Sequence, residues 1–429
     1  IFCIDLAREQ RCSSHCKYQL VESIPDQVNL KLLPGTDYTL NSWLDIINKA
    51  QKTLKIAAFY SNLRNEHKQP RNIGGWMGQE VMDAILKAHA RGVAITIVQN
   101  SPLRDLTHED TDWLRDNTIA KVIYVDWGAA FGGVLHSKMI MSDDVRFYVG
   151  SANFDWTSLA QVKELGIYIS DCECLSGDME KIWSAYKYVG QDLKSNFKNL
   201  RQGFPSGLET RNHLKHPFNI SFENDKTGTF GDMYISSSPR EVNPPGRTND
   251  IVALLNVINT ATVNLSISVM DYLPLDAYGE PRTYWGEIED ALKSAVTRNV
   301  TIRMLVSKWT STSDLQVPVV ASMNTWGSFC QYSNTKNHTS NPWCTGSLTV
   351  KLFEIPDAKG YERIPYTRVN HAKYMVSDTT VYLSTSNWSY DYFYRTAGIS
   401  VVTTHAQIRQ QVEDIFTRDW NSEYVKELE

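Results

Sequence analysis

The sequence contains no run of eighteen apolar residues, so nothing in it reads as a membrane-spanning helix. It also lacks an excess of positive charge: 43 Lys and Arg stand against 48 Asp and Glu, a net charge of -5. A global field that would gather nucleic acid or anionic membrane is thereby excluded, and any phosphate recognition must be local. Residue 1 is Ile, with no charged n-region and apolar h-region behind it, so the chain reads as processed or truncated. Cysteine is scarce, seven in 429 residues, and clustered: Cys3, Cys12, Cys16, Cys172, Cys174, Cys330 and Cys344. C-x3-C with C-x-C is poor zinc spacing. Two disulfides tying an N-terminal arm to the first half of the chain are the better reading of Cys12, Cys16, Cys172 and Cys174. Cys330 and Cys344 would close a third across a loop, and Cys3 is left over. What is plentiful is apolar residue, 42% of the chain, enough for large cores in two or three domains.

The chemistry is concentrated in residues 133–156, GVLHSKMIMSDDVRFYVGSANFDW. His136, Lys138 and Asp143 stand in the spacing H-x-K-x4-D, followed by Gly150-Ser151-Ala152-Asn153. Residues two apart share one face of a strand, so an imidazole and an ammonium emerge side by side. Residues 139–141 and 145–149 read as two buried strands of a hairpin, with 142–144 as its turn. The pattern recurs at 369–388, where His371, Lys373 and Asp378 repeat the spacing and Thr385-Ser386-Asn387 repeats the tail. A single match would be weak; two with matching tails are a strong signal.

The duplication extends beyond the motifs. WLDIINKAQKTLKIA, starting at Trp43, matches LLNVINTATVNLSIS, starting at Leu254, a helix feeding a strand. Residues 80–98 match 287–305 in the same way, with Glu80/Glu287, Asp83/Asp290, Ala84/Ala291 and Arg91/Arg298 at equivalent steps. A third strand, the motif hairpin, a closing strand (166–169 or 398–402) and a helix (178–189 or 407–420) follow in each half. The fold class is therefore α/β, two pseudo-repeated lobes, each a mixed β-sheet flanked by helices. The expected domains are a Cys-rich arm over 1–38, a first lobe over 39–193, a linker over 194–250, rich in Asn, Ser, Gly and Pro, and a second lobe over 251–429. The second lobe carries an insertion at 310–346, closed by Cys330 and Cys344.

The paired motifs resemble those of the phospholipase D superfamily, whose members build one active site from two such motifs. VESIP (21–25), KELG (163–166), GRT (246–248), RIPY (363–366) and RVNHAKYMV (368–376) are similar to the branch of animal phospholipase D members three and four, and the resemblance runs from about 21 to 420. It implies two His, two Lys and two Asn around one phosphate: His136 as nucleophile forming a phosphohistidine, His371 as general acid and base, and Lys138, Lys373, Asn153 and Asn387 on the non-bridging oxygens. Glu164, eleven residues past Asn153, is expected to orient His136, because the second half has Arg395-Thr396-Ala397 near that offset. Asp143 and Asp378 fall in the hairpin turns and are expected to be structural. Phe154, Trp156, Trp388 and Tyr392, beside the motif tails, are candidate platforms for stacking bases.

No metal or cofactor is expected. The resemblance implies a 5′-to-3′ exonuclease on single-stranded nucleic acid in a lysosomal or secretory-pathway lumen, the soluble processed form of a type II membrane precursor. The same chemistry applied to a lipid phosphate, as a phospholipase or transphosphatidylase, is the alternative, and an inactive binding protein the third reading; intact motifs oppose the last. Expected partners are single-stranded nucleic acid or phospholipid as substrate, a second copy of the chain in a homodimer, and a membrane anchor upstream. Five N-x-S/T sequons occur, at Asn219, Asn264, Asn299, Asn337 and Asn387. Asn387 belongs to a motif tail and makes a poor glycan site.

Overall fold

The computed structural model describes residues 12, 15–64, 73–103, 108–193, 205–332 and 344–428. Apolar residues at helical spacing build the first unit: α1 (Thr39–Lys49) buries Leu40, Trp43, Ile46 and Ile47. The chain then enters β3 (Thr53–Ala58), after β1 (Lys17–Ser23) and β2 (Thr36–Tyr38). Helix α2 (Gly75–Ala90) returns it to β4 (Ala94–Asn100), parallel to β3, and β5 (Lys121–Val125) lies parallel beyond. The motif hairpin is β6 (Met139–Ser142) and β7 (Arg146–Gly150), and β8 (Glu164–Ser170) leads to α3 (Glu173–Tyr188). The resulting eight-stranded sheet has the order β2-β1-β8-β7-β6-β3-β4-β5.

The second sheet repeats this plan. After β9 (Phe218–Ser221) and β10 (Phe230–Ser238), α4 (Asp250–Thr260) feeds β11 (Asn264–Val269), α5 (Glu287–Thr297) feeds β12 (Thr301–Ser307), and β13 (Ser347–Phe353) lies parallel beyond. The hairpin β14 (Lys373–Ser377) and β15 (Val381–Ser384) precedes β16 (Gly398–Thr403), α6 (Ala406–Trp420) and β17 (Val425–Lys426). The order is β9-β10-β16-β15-β14-β11-β12-β13-β17, with Thr248–Asn249 pairing off this path with β10.

Three cores result. Helices α1 and α2 cover the outer face of the first sheet and α4 and α5 that of the second. The middle core is continuous across both sheets: Met179, Ile182 and Trp183 of α3 and Val412, Ile415 and Phe416 of α6 pack among Met139, Phe147, Tyr374 and Leu383. Each such fully buried side chain contributes about 1.5–3 kcal/mol before chain entropy is counted. The lobes are thus one packed body, and the motif strands run to its centre.

The stretch read as a linker, 194–250, is partly sheet. Strand β10 pairs antiparallel with β16 from Met233↔Thr403 to Ser238↔Gly398 and buries Met233 and Ile235. Its serines, Ser236 to Ser238, are also buried; their polarity concealed the strand. Arg247 of the same stretch reaches back to the first lobe, where its guanidinium donates to both carboxylate oxygens of Asp178 on α3, at 2.6 and 2.9 Å. The arm belongs to the first sheet through β1. Cys12 is joined to Cys174 and Cys16 to Cys172, so two disulfides tie the arm to the start of α3, and Cys330–Cys344 is the third. Cys3 and Asn337 lie outside the described residues.

Candidate active site

Each motif enters its sheet by an extended step that begins with the His. His136 and Lys138 precede β6, and His371 precedes Lys373, the first residue of β14. What holds each step is the other lobe. The His136 backbone N–H donates to Ala397 O at 3.2 Å, and the His371 N–H donates to Lys163 O at 2.8 Å. The motif tails are equally matched, since Ser151 N–H donates to Leu165 O and Thr385 N–H to Ile399 O. Leu165 is thereby the counterpart of Ile399, Lys163 of Ala397, and Glu164 of Gly398.

The two imidazoles face each other with ring centroids 6.5 Å apart, room for one phosphoryl group between them. Lys138 and Lys373 are almost wholly buried, and each ammonium donates to the backbone oxygen of its own His. Lys138 Nζ also lies 5.7 Å from the Phe59 ring centroid, and Lys373 Nζ 3.8 Å from Met270 Sδ. Asn153 and Asn387 each keep a buried Oδ1 with no partner at this centre. The six motif residues, drawn from both lobes, converge.

Glu164 also lies here, on a different partner from the one its sequence offset suggests. Its carboxylate accepts from His371 Nδ1, 2.9 Å from Oε2 and 3.0 Å from Oε1, while His136 Nδ1 lies 3.1 Å from the Thr385 backbone oxygen. The expected support of His136 by Glu164 is therefore corrected. An offset along one chain half cannot show that the contact crosses to the other lobe, where β8 passes the second motif.

Charge follows from this geometry. Burial, then Lys138, Lys373 and His371, push the His136 imidazole well below its usual value. Burial lowers His371 too, to about 4, with Glu164 opposing the drop. Lys138 is pushed far down by burial, and Lys373 to about 7. Burial raises Glu164, but His371 and Lys373 outweigh it and hold the carboxyl below its ordinary range. An anion placed among these groups favours their protonated forms, the lysines above all.

Asp143 and Asp378 sit at the far ends of β6 and β14. Asp143 accepts from the N–H groups of Gln51, Lys52 and Thr53, and Asp378 from those of Thr262, Val263 and Asn264, so each closes the entry to a neighbouring strand. Three of the four stacking candidates are core residues. Phe154 packs on Trp43, Trp156 on Ile73 and Ile364, and Trp388 is fully buried among the α4 and α5 residues. Their apolar bodies fill the lobes, which leaves no face for a base. Tyr392 alone is at the site, edge-on to His136 at 5.2 Å.

Aromatic and apolar groups of other segments line the open side. A cavity of about 340 Å³ beside the His pair is walled by Phe59, Tyr60, Val162, Met270, Trp309 and Val369, with Leu103 and Tyr366 at its rim. Tyr366 is 61% exposed and stands 6.5 Å from the half-buried Trp309. Of the insertion 310–346 none of the described residues lines this cavity; its helix, Gln316–Gly327, packs on β13 instead. Tyr366 closes RIPY, and its exposure is set by the fold, so the sequence carries no signal that singles it out.

Among known proteins, residues 31–336 match the family described as PLD3/4, PLD-like domain, and residues 254–420 match the cardiolipin synthase type of PLD-like domain. A protein of Xenopus laevis named 5′-3′ exonuclease PLD3 is 36% identical over 98% of this chain and 82% of its own length. Phospholipase D Y of Dictyostelium discoideum is 36% identical over 96% and 92%, and a probable phospholipase D of Caenorhabditis elegans 35% over 97% and 72%. In fold the chain is similar to phosphatidylserine synthase of Haemophilus influenzae, with a TM-score of 0.56 at 12% identity over 90% of this chain and 84% of that one. With two motifs converging from two lobes and likeness over nearly its whole length, the chain belongs to the phospholipase D superfamily, in its PLD3/4 branch.

Proposed function

We propose that this chain is a phosphodiester hydrolase working through a phosphohistidine, and that its substrate is the 5′ end of single-stranded DNA or RNA. The observation that carries the chemistry is the unequal His pair. A nucleophile must be a neutral imidazole with Nε2 free, and His136 is driven strongly to that form while its Nδ1–H is held by the Thr385 carbonyl. The acid must hold a proton, and His371, backed by the Glu164 carboxylate, keeps one more readily. The division of roles stands on Glu164 serving the acid.

In the first step His136 Nε2 bonds to phosphorus, the P–O5′ bond breaks, and His371 gives its Nε2 proton to the departing 5′ oxygen. Lys138, Lys373 and the two Asn hold the non-bridging oxygens. In the second step neutral His371 takes a proton from water, which attacks phosphorus and expels His136. The product is a nucleoside 3′-monophosphate. Base stacking falls to Tyr366 and Trp309 at the cavity rim. The relatives named 5′-3′ exonuclease support this substrate, and the two disulfides on the arm suit an oxidising lumen, lysosomal or secretory.

The test is incubation of purified protein with linear and circular single strands at pH 5 and 7. Release of 3′-monophosphates from linear strands, with circles spared, is expected; cutting of circles or release of 5′-monophosphates overturns the exonuclease reading. A second reading, lipid phosphodiester hydrolysis, is favoured by the apolar wall of Val162, Met270 and Val369. Release of headgroups from phospholipid vesicles, with nucleic acid untouched, would establish it.

A further inference from the structure

The strands that lead into the site from each lobe end alike. Beyond β3 come Phe59 and Tyr60, and beyond β11 come Met270 and Asp271. The pairings Ala57↔Met139 and Ser268↔Tyr374, each one residue past a motif Lys, make Phe59 the counterpart of Met270 and Tyr60 the counterpart of Asp271. The first pair lies against the two ammoniums. The second pair flanks the two carboxamides: Tyr60 lines the same cavity as Asn153, and Asp271 Oδ2 accepts from Asn387 Nδ2 at 3.0 Å. The Asp271 backbone oxygen also accepts the Trp388 N–H at 2.9 Å, which fixes the tail that carries Asn387.

A buried phenol does not ionise near neutral pH, whereas a carboxyl does. The matched positions therefore stand by the two carboxamides with different electrical consequences. We propose that Asp271 is a positioning residue for Asn387 and that its carboxylate charge, which reaches Lys373 without a direct ion pair, opposes a bound phosphate, so that anion binding strengthens on acidification. The groups facing it are Lys373 from β14, Asn387 from the motif tail, Tyr392 after that tail, and Tyr278 from the loop beyond β11. Burial pushes the Asp271 carboxyl up to about 6, with Lys373 opposing. Once protonated, it no longer repels the phosphate and still accepts the Asn387 N–H through its carbonyl oxygen.

The proposal rests on the phosphodiesterase reading only in placing an anion between the lysines. Its test compares wild type, Asp271→Asn and Asp271→Ala, using calorimetric binding of sulfate, whose charge is fixed between pH 5 and 7, and turnover of bis(p-nitrophenyl) phosphate. Wild type should lose about tenfold more sulfate affinity than Asp271→Asn between these pH values. Asp271→Asn, which keeps an acceptor for Asn387, should retain about tenfold more kcat than Asp271→Ala. Parallel pH dependence of sulfate binding in wild type and Asp271→Asn, or equal kcat in the two variants, overturns the inference. Failure of the wild type to turn over any phosphodiester sinks the proposed function instead, and the sulfate measurement still decides the role of Asp271.

Discussion

The two lobes offer the same hand to each other with one finger missing. The entry to strand β8 of the first lobe supports His371 by the Lys163 carbonyl, just before the strand, and then by the Glu164 side chain; the entry to β16 of the second supports His136 by the Ala397 carbonyl and then has Gly398. A Cβ at Gly398 would stand 2.1 Å from Ser386 Oγ and 2.8 Å from Ser238 Oγ, so a side chain there would have to displace both serine hydroxyls. The difference teaches that catalytic asymmetry here is carried by the supporting strands, while the motifs themselves remain nearly identical.

The largest effect should come from removing each His in turn. His136→Ala is expected to lose turnover by about 10⁴-fold and to form no acid-labile phosphoenzyme, whereas His371→Ala should form it and release it slowly. Trapping with radiolabelled substrate decides between them. Phosphoenzyme on His136→Ala alone would exchange the roles of the two lobes.

Removing the one supporting carboxylate should come next. Glu164→Gln is expected to reduce kcat by about 100-fold. Glu164 raises the His371 pKa, so its loss lowers it. Activity that needs protonated His371 then fails at lower pH, and the alkaline limb of kcat/KM moves toward acid. A limb that stays in place, or moves toward alkali, would break the assignment of His371 as the acid.

Aromatic residues separate the surface of the site from its scaffold. Tyr366→Ala should raise KM for oligonucleotides about tenfold without changing Tm, because stacking contributes about 1–3 kcal/mol per base. Trp388→Ala should instead cost about 3–5 kcal/mol of stability, read as a fall in Tm. Smallest of all, Asp143→Ala and Asp378→Ala should each lower stability by about 1–2 kcal/mol through the same lost cap while kcat stays within about twofold of wild type. Unequal losses would show that the lobes differ in their turns as well as in their supports.

Much of this arrangement is legible in the chain because duplication prints it twice. The motif residues, their tails and the helix-to-strand units recur at matching steps, and periodicity identifies the buried faces of α1 and β3. What escapes is whatever depends on symmetry in space. Glu164 counts correctly from Asn153 yet serves the opposite His. Tyr60 and Asp271 share a position but no side-chain chemistry, so no pattern joins them. Strand β10 carries three buried serines and reads as a loop, since the groups that satisfy them, Asp250, Asn243 and the Thr396 backbone oxygen, are placed there only by the fold. Phe154, Trp156 and Trp388 adjoin the tails in sequence, but strand and helix geometry turns them inward.

Beside Glu164, the fully buried Lys163 ammonium lies 2.7 Å from Asp419 Oδ2 and 3.7 Å from Glu22 Oε2, and Arg418 donates to both Glu22 oxygens at 2.6 and 2.9 Å. Charges from the arm, the first lobe and the last helix thus complete one another. For a chain emerging from the ribosome, this sets a late deadline. Glu22 and Lys163 are both made long before residue 418, and until α6 arrives their 3.7 Å pair lacks the closer partners Asp419 and Arg418. The first lobe therefore gains its full set of buried ion pairs only with the last helix, and a chain stopped a dozen residues early would lack Arg418 and Asp419 behind the residue next to Glu164.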